Sequence, residues 1–175
     1  SDGLIGTYVG STKSIVVNSG SLNGSFGLGG ARDYGFDQLV DYSKVGTEYI
    51  FVKGTGNDEW ENVLLVAHTD NTEITINGNP ISNAFIHGKG VNISSAYDST
   101  IGNPSINAGD YFLIEGDLYG SDGNMYVQSS SPLFAFQGIG SGGGEANQGL
   151  FFVPPLKCSS VGDVDNIPMI NDIGN

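Results

Sequence analysis

Three short segments of this 175-residue chain gather the side chains best suited to chemistry: Arg32-Asp33-Tyr34-Gly35-Phe36-Asp37-Gln38, Gly144-Glu145-Ala146-Asn147-Gln148 and Asp163-Val164-Asp165-Asn166. Each mixes carboxylates with amides or glycine, the hard oxygen donors that Ca2+ prefers. Asp33, Asp37, Asp163, Asp165 and Glu145 are the expected metal ligands. Arg32, Tyr34, Phe36, Gln38, Asn147 and Gln148 are the residues expected to orient a ligand beside the ion. Asp33 and Asp37 can converge on one cation if the chain across Gly35 is a loop, and the glycines around it supply backbone amides and carbonyls that turn toward an ion or ligand. The Asp163 segment opens like a calcium loop but lacks the glycine and terminal glutamate of an EF-hand, which excludes that motif. Arg32 is the only arginine. Its planar donors suit a carboxylate, either a neighbouring acid of the chain or one on a bound partner.

Catalytic constellations are missing. His68 and His87 lie in or beside apolar runs without the spacing of a zinc helix, and no G-x-S-x-G elbow occurs. The glycine clusters lack the Lys-Ser/Thr of a phosphate cradle, and no carboxylate pair stands out for glycoside hydrolysis. Cys158 has no base or positive charge near it in sequence, so it reads as a buried or half-buried thiol. The chain is not expected to be an enzyme.

The elements that must position these segments are strands. Glu48 to Lys53, Val63 to Ala67, Asn71 to Gly78, Ala84 to His87, Val91 to Ile93 and Tyr111 to Ile114 are short, β-branched or aromatic, and fenced by Gly, Asn, Asp or Pro. Asn77-Gly78 is a strong hairpin signal. Asp58-Glu59-Trp60-Glu61 reads as a turn with a half-buried Trp, and Asp117 and Asp122-Gly123-Asn124 read as turn residues. The chain also repeats itself. Tyr8-Val9-Gly10-Ser11 leads through Ile15-Val16-Val17 and a glycine-rich loop to Asp37-Gln38. Tyr126-Val127-Gln128-Ser129 leads through Leu133 to Phe136 and another such loop to Asn147-Gln148. The predicted fold is an all-β antiparallel β-sandwich with long glycine-rich loops and this internal strand-loop-strand duplication. Ser19 to Gly35 and Gly138 to Gly144 are read as its loops.

The chain is long enough for one core, so residues 1–175 read as a single domain. A formal charge of -13 excludes a nucleic-acid partner, since phosphate binding needs clustered Lys and Arg. The acidity either keeps the protein soluble or favours a bound cation. One cysteine allows no internal disulfide, and the glycine-rich, lysine-poor composition suits a module of a bacterial surface protein. No run of residues is long and apolar enough to insert directly in a membrane. The ends read as those of a domain cut from a longer secreted chain.

Five segments, in this order, carry a resemblance: Gly46 to Ile50, Leu65 to Ile76, Asn107 to Tyr111, Ser131 to Phe136 and Phe152 to Leu156. Together they resemble the N-terminal domain of IgGFc-binding protein and its bacterial relatives, over most of residues 37 to 170. The resemblance implies a module of a large surface protein, acting in adhesion and not in catalysis. His68 stands where that family more often has an acidic residue. In its acidic, glycine-rich character the chain is also similar to the peptide-binding domain of bacterial RTX adhesins, which implies calcium helping to grip the free C-terminus of a peptide. The expected function is that of a calcium-dependent extracellular adhesin module for peptide or protein C-termini. Glycan binding through the same ion, and a structural spacer stiffened by calcium, are the alternatives.

Overall fold

The computed structural model describes residues 4–24, 33–81, 91–93, 105–140 and 146–156. Eleven strands fall within them: β1 Asn18–Gly24, β2 Asp33–Gln38, β3 Gly46–Val52, β4 Asn62–Ala67, β5 Thr72–Ile76, β6 Asn79–Pro80, β7 Val91–Ile93, β8 Ser105–Ile106, β9 Tyr111–Ile114, β10 Asn124–Gly140 and β11 Ala146–Phe152. Every pairing between them is antiparallel. Three single turns of 3-10 helix complete the described elements. Among the described residues no helix is long and apolar enough to cross a membrane.

Strand β10, 17 residues long, organises the sheet. Its first half pairs with β3 on one edge and β5 on the other, and its second half with β11 and β4. The pairing with β3 shifts register between Gln128 and Leu133. There, around Ser129–Pro132, β10 passes from one layer to the other, and it keeps its inward side: Met125, Val127, Leu133 and Ala135 are all buried. These four join Tyr49 and Phe51 of β3, Ile74 and Ile76 of β5, Val63 and Leu65 of β4, and Phe112 and Ile114 of β9 in one apolar cluster. The spacing of two along each strand is what a half-buried sheet requires. The result is the expected all-β antiparallel sandwich, with a curled sheet supplying both layers.

Tyr49 clamps the crossover. Its fully buried hydroxyl accepts a bond from the Gly46 amide at 2.8 Å and donates to the Leu133 carbonyl at 2.6 Å, tying the start of β3 to the point where β10 changes layer. Removal from water pushes its phenol up to about 12, against a small opposing effect of its Gly46 bond.

The β5–β6 turn is the Asn-Gly hairpin the sequence predicts. Asn77 and Gly78 both adopt positive φ, at 50° and 78°, as a two-residue turn with right-handed strand twist demands. Two other expectations give way. Ile15 and Val16 lie outside any strand and are 53% and 69% exposed, whereas the Gly- and Ser-rich residues that follow form β1. The glycine-rich stretch 19–35 is therefore a hairpin with strands at both ends and not a loop throughout. Ladder bonds come from the backbone, and small residues pair where nothing needs burying. Asp58–Trp60 is the expected turn between strands, but Trp60 is buried at 7% and not half-buried, and Glu61 is at 0%. The predicted run Ala84 to His87, and Cys158, lie outside the described residues.

Candidate functional site

The first acidic segment becomes β2, paired to β1 with Asp37 opposite Ser19 and Phe36 opposite Gly20. Strand alternation divides its residues. Tyr34, Phe36 and Gln38 point to one exposed face, with Tyr34 71% and Phe36 72% exposed. Leu22 of β1, 93% exposed, extends the apolar stripe. Gly20 decides how Phe36 lies: a Cβ there would sit 2.3 Å from the Gly35 carbonyl oxygen and 2.9 Å from the Phe36 ring, so the missing side chain lets the ring fold across the hairpin. Broad, rigid aromatic surface of this kind is what protein-recognition sites are built from.

Asp37 points to the opposite, half-buried face. Its Oδ1 accepts the Gln38 amide at 2.7 Å, while its Oδ2 is sealed from solvent and meets no hydrogen-bond donor among the described residues. A buried carboxylate oxygen without a partner is costly, and such atoms point to an ion or water that belongs there. Four residues of extended chain separate the backbones of Asp33 and Asp37 by roughly 13 Å. A cation at Asp37 therefore draws its other ligands from elsewhere in the fold.

The hairpin's second strand, β2, runs alongside β11, the second strand of the other duplicated unit. The strand that carries Asp37-Gln38 thus neighbours the strand that carries Asn147-Gln148, without a described ladder between them. Arg32, Glu145, Asp163 and Asp165 lie outside the described residues. Among the described residues no group of three or more His, Cys, Asp or Glu side chains converges as a metal cage. Asp37 is the one expected ligand whose side chain is among those described.

Two further polar features escape a reading by segment. Glu61 is fully buried, and its two oxygens accept the amides of Gly54 at 2.9 Å and Gly56 at 2.8 Å. The glycines allow the approach: a Cβ on Gly54 or Gly56 would fall 2.7 or 2.8 Å from that carboxylate. Nearby, Gln137 donates to the Val52 carbonyl at 2.6 Å and to the Tyr119 hydroxyl at 3.2 Å. Burial, and next the Glu61 charge, push the Tyr119 phenol upward. This network anchors the 53–61 connection beneath the β10–β11 hairpin, where Gly140 lies against Trp60. Its only trace in sequence is the spacing Gly54-x-Gly56 before Glu61.

The second is His68, which stacks on Tyr42 with ring centroids 3.8 Å apart and meets Phe134 edge-on at 6.4 Å. At this position, expected to depart from its relatives, the histidine serves an aromatic surface cluster.

A protein-family model described as IgGFc binding protein matches residues 1–173. No curated protein and no solved structure gives a match to the chain.

Proposed function

Because the chain belongs to the IgGFc-binding family, we infer that it is an extracellular protein-recognition module, not an enzyme, and that its ligand docks on the β1–β2 hairpin where it adjoins β11. The ligand in this reading is an extended peptide or protein C-terminus on a host or neighbouring cell surface, held with the help of Ca2+. The observation that carries it is the sealed, partnerless Oδ2 of Asp37 within a strand whose other face exposes Tyr34 and Phe36. A bound calcium would neutralise that oxygen and, with one coordination position open, accept the ligand's carboxylate. Asp37 would hold the ion together with acids outside the described residues, for which Asp163, Asp165 and Glu145 are the candidates.

The division of β2 into two faces constrains the pose. With β1 paired along one edge of β2 and β11 beside the other, a ligand meets the two aromatics on one face and reaches an ion at Asp37 only by passing around the end of the strand. Tyr34 and Phe36 supply apolar area, and the exposed Gln38 supplies an amide beside them.

Isothermal titration tests this with three kinds of ligand: peptides bearing a free C-terminus, the same peptides amidated, and IgG Fc, each in calcium and in chelator. Free peptides binding in calcium, with loss on amidation, on chelation and in Phe36→Ala, is the expected pattern. Equal binding of free and amidated peptides, or binding that survives chelation, would refute the carboxylate mechanism. Binding of Fc alone would keep the family's ligand and reject the peptide end.

A further inference from the structure

We propose that the outer face of the β3–β10–β5 layer holds a second, metal-independent site for a neutral saccharide, in a depression floored by Tyr126 and Ile50 and rimmed by Asp122, Asn124 and Asn77. The depression is open and shallow, about 570 Å3, within the usual range for small-ligand sites. It does not use the β2–β11 region, so it stands or falls apart from the peptide reading.

The floor is built by register. Tyr126 and Ile50 are direct cross-strand partners, so they share the face turned away from the core. The Tyr126 hydroxyl donates to Glu48 Oε2 at 3.0 Å, and Glu48 lies two residues along β3 from Ile50. Tyr126 and Ile50 both line the depression, so ring and aliphatic side chain border the same space. Ile50, 46% exposed, continues this apolar surface. A flat ring beside an aliphatic side chain suits the C–H face of a pyranose.

The rim is already organised. Asn77, held at positive φ, accepts the Tyr126 amide through its Oδ1 at 2.9 Å and donates to the Leu118 carbonyl at 3.2 Å, fixing the end of β5 beside the ring. Asp122 Oδ1 accepts the Asn124 amide at 3.1 Å, and the turn closes through Gly123 at φ 77°. Bonds from Asn124, through its side chain first and then its backbone, hold Asp122 below the usual carboxylate range. It therefore stays ionised at neutral pH, on an exposed turn. A carboxylate and a carboxamide side by side match adjacent sugar hydroxyls, one accepting and the other donating or accepting.

Charge narrows the ligand class. Asp122 and Glu48 repel anions, including acidic sugars, and Lys53 beside Gly123 is already paired with Asp58. A lone cationic side chain would be attracted too, but it would fill little of the volume and leave the ring and Ile50 largely wet. A neutral mono- or disaccharide uses floor and rim together.

Saturation-transfer NMR and titration with a panel of neutral mono- and disaccharides, in chelator, provide the test, with sialylated sugars and an oligolysine peptide as comparators. At least one neutral sugar should bind in the millimolar range. Asp122→Ala, at a fully exposed turn, should weaken it about tenfold, the worth of one hydrogen bond to a charged group. Tyr126→Phe, which keeps the ring, should stay within about threefold of wild type, Tyr126→Ser should abolish binding with the fold checked by circular dichroism, and Phe36→Ala should change nothing. Failure of every neutral sugar, equal binding by Asp122→Ala, or oligolysine binding lost in Asp122→Ala while sugars fail would each overturn the proposal.

Discussion

Replacing Asp37 with Asn separates a structural carboxylate from one that needs a cation. The side chain keeps its shape and its bond to the Gln38 amide, 2.7 Å long in the native hairpin, but loses the charge that a calcium ion would meet at the sealed Oδ2. In chelator, wild type carries an orphaned buried acceptor that costs about 1–3 kcal/mol, and the substitution removes that charge, so Asp37→Asn should melt at or slightly above the wild-type temperature. In calcium the order reverses. A ligand at a hundred times its dissociation constant stabilises the native state by about 2.7 kcal/mol, and in a domain of this size each kcal/mol moves the midpoint by about 2–4 °C. Wild type should therefore gain roughly 5–11 °C on adding calcium, and Asp37→Asn less than about 2 °C. Differential scanning calorimetry of both proteins in each condition reads all four values. A wild-type midpoint indifferent to calcium, or a full calcium shift in the variant, would refute the assignment of Asp37 as a ligand.

Glu61→Gln should turn an amide donor toward one of the two loop N–H groups that now bond to the carboxylate, removing one of the two bonds and costing about 2–4 kcal/mol; an unchanged urea midpoint would refute a stabilising role for this pair of bonds. Alkali should destabilise the fold, because Tyr49, pushed up to about 12 by burial, holds its proton more tightly in the native state than in the unfolded chain, where a phenol titrates near ~10. That contribution is fully present below pH ~10 and is lost as pH rises through about 12, with Tyr119 acting in the same direction. Urea midpoints followed from neutral pH upward, with tyrosinate absorbance recorded in parallel, should fall over this window in wild type and fall less in Tyr49→Phe.

Periodicity made the sandwich legible. Val63 to Ala67, Thr72 to Ile76 and Tyr111 to Ile114 became β4, β5 and β9 because runs of β-branched and aromatic residues have a face to bury, and Asn77-Gly78 became the hairpin its backbone preferences require. The β1–β2 hairpin was hidden for the opposite reason. Gly20 and Gly35 have no side chain to bury, so their ladder leaves no hydrophobic trace, and the apolar Ile15-Val16 nearby drew the strand assignment away. Within the site, the aromatics and Asp37 were identifiable by type. Their separation onto two faces was not, since it depends on whether Gly35 sits in a loop or a strand. The Ile50–Tyr126 floor was invisible for a further reason: strand register between residues distant in sequence is settled by the fold as a whole.

Strand β10 also governs how the domain folds and how it yields. Because β10 contributes to both layers, neither layer can peel away alone, and each remains incomplete until that late segment of the chain is available. During synthesis or export the earlier strands must wait, with their apolar faces uncovered, for a distant partner, and folding governed by such remote pairings is slow. Once closed, the same arrangement resists stepwise loosening, so a pull on either end should meet a single cooperative yield point instead of a gradual unravelling.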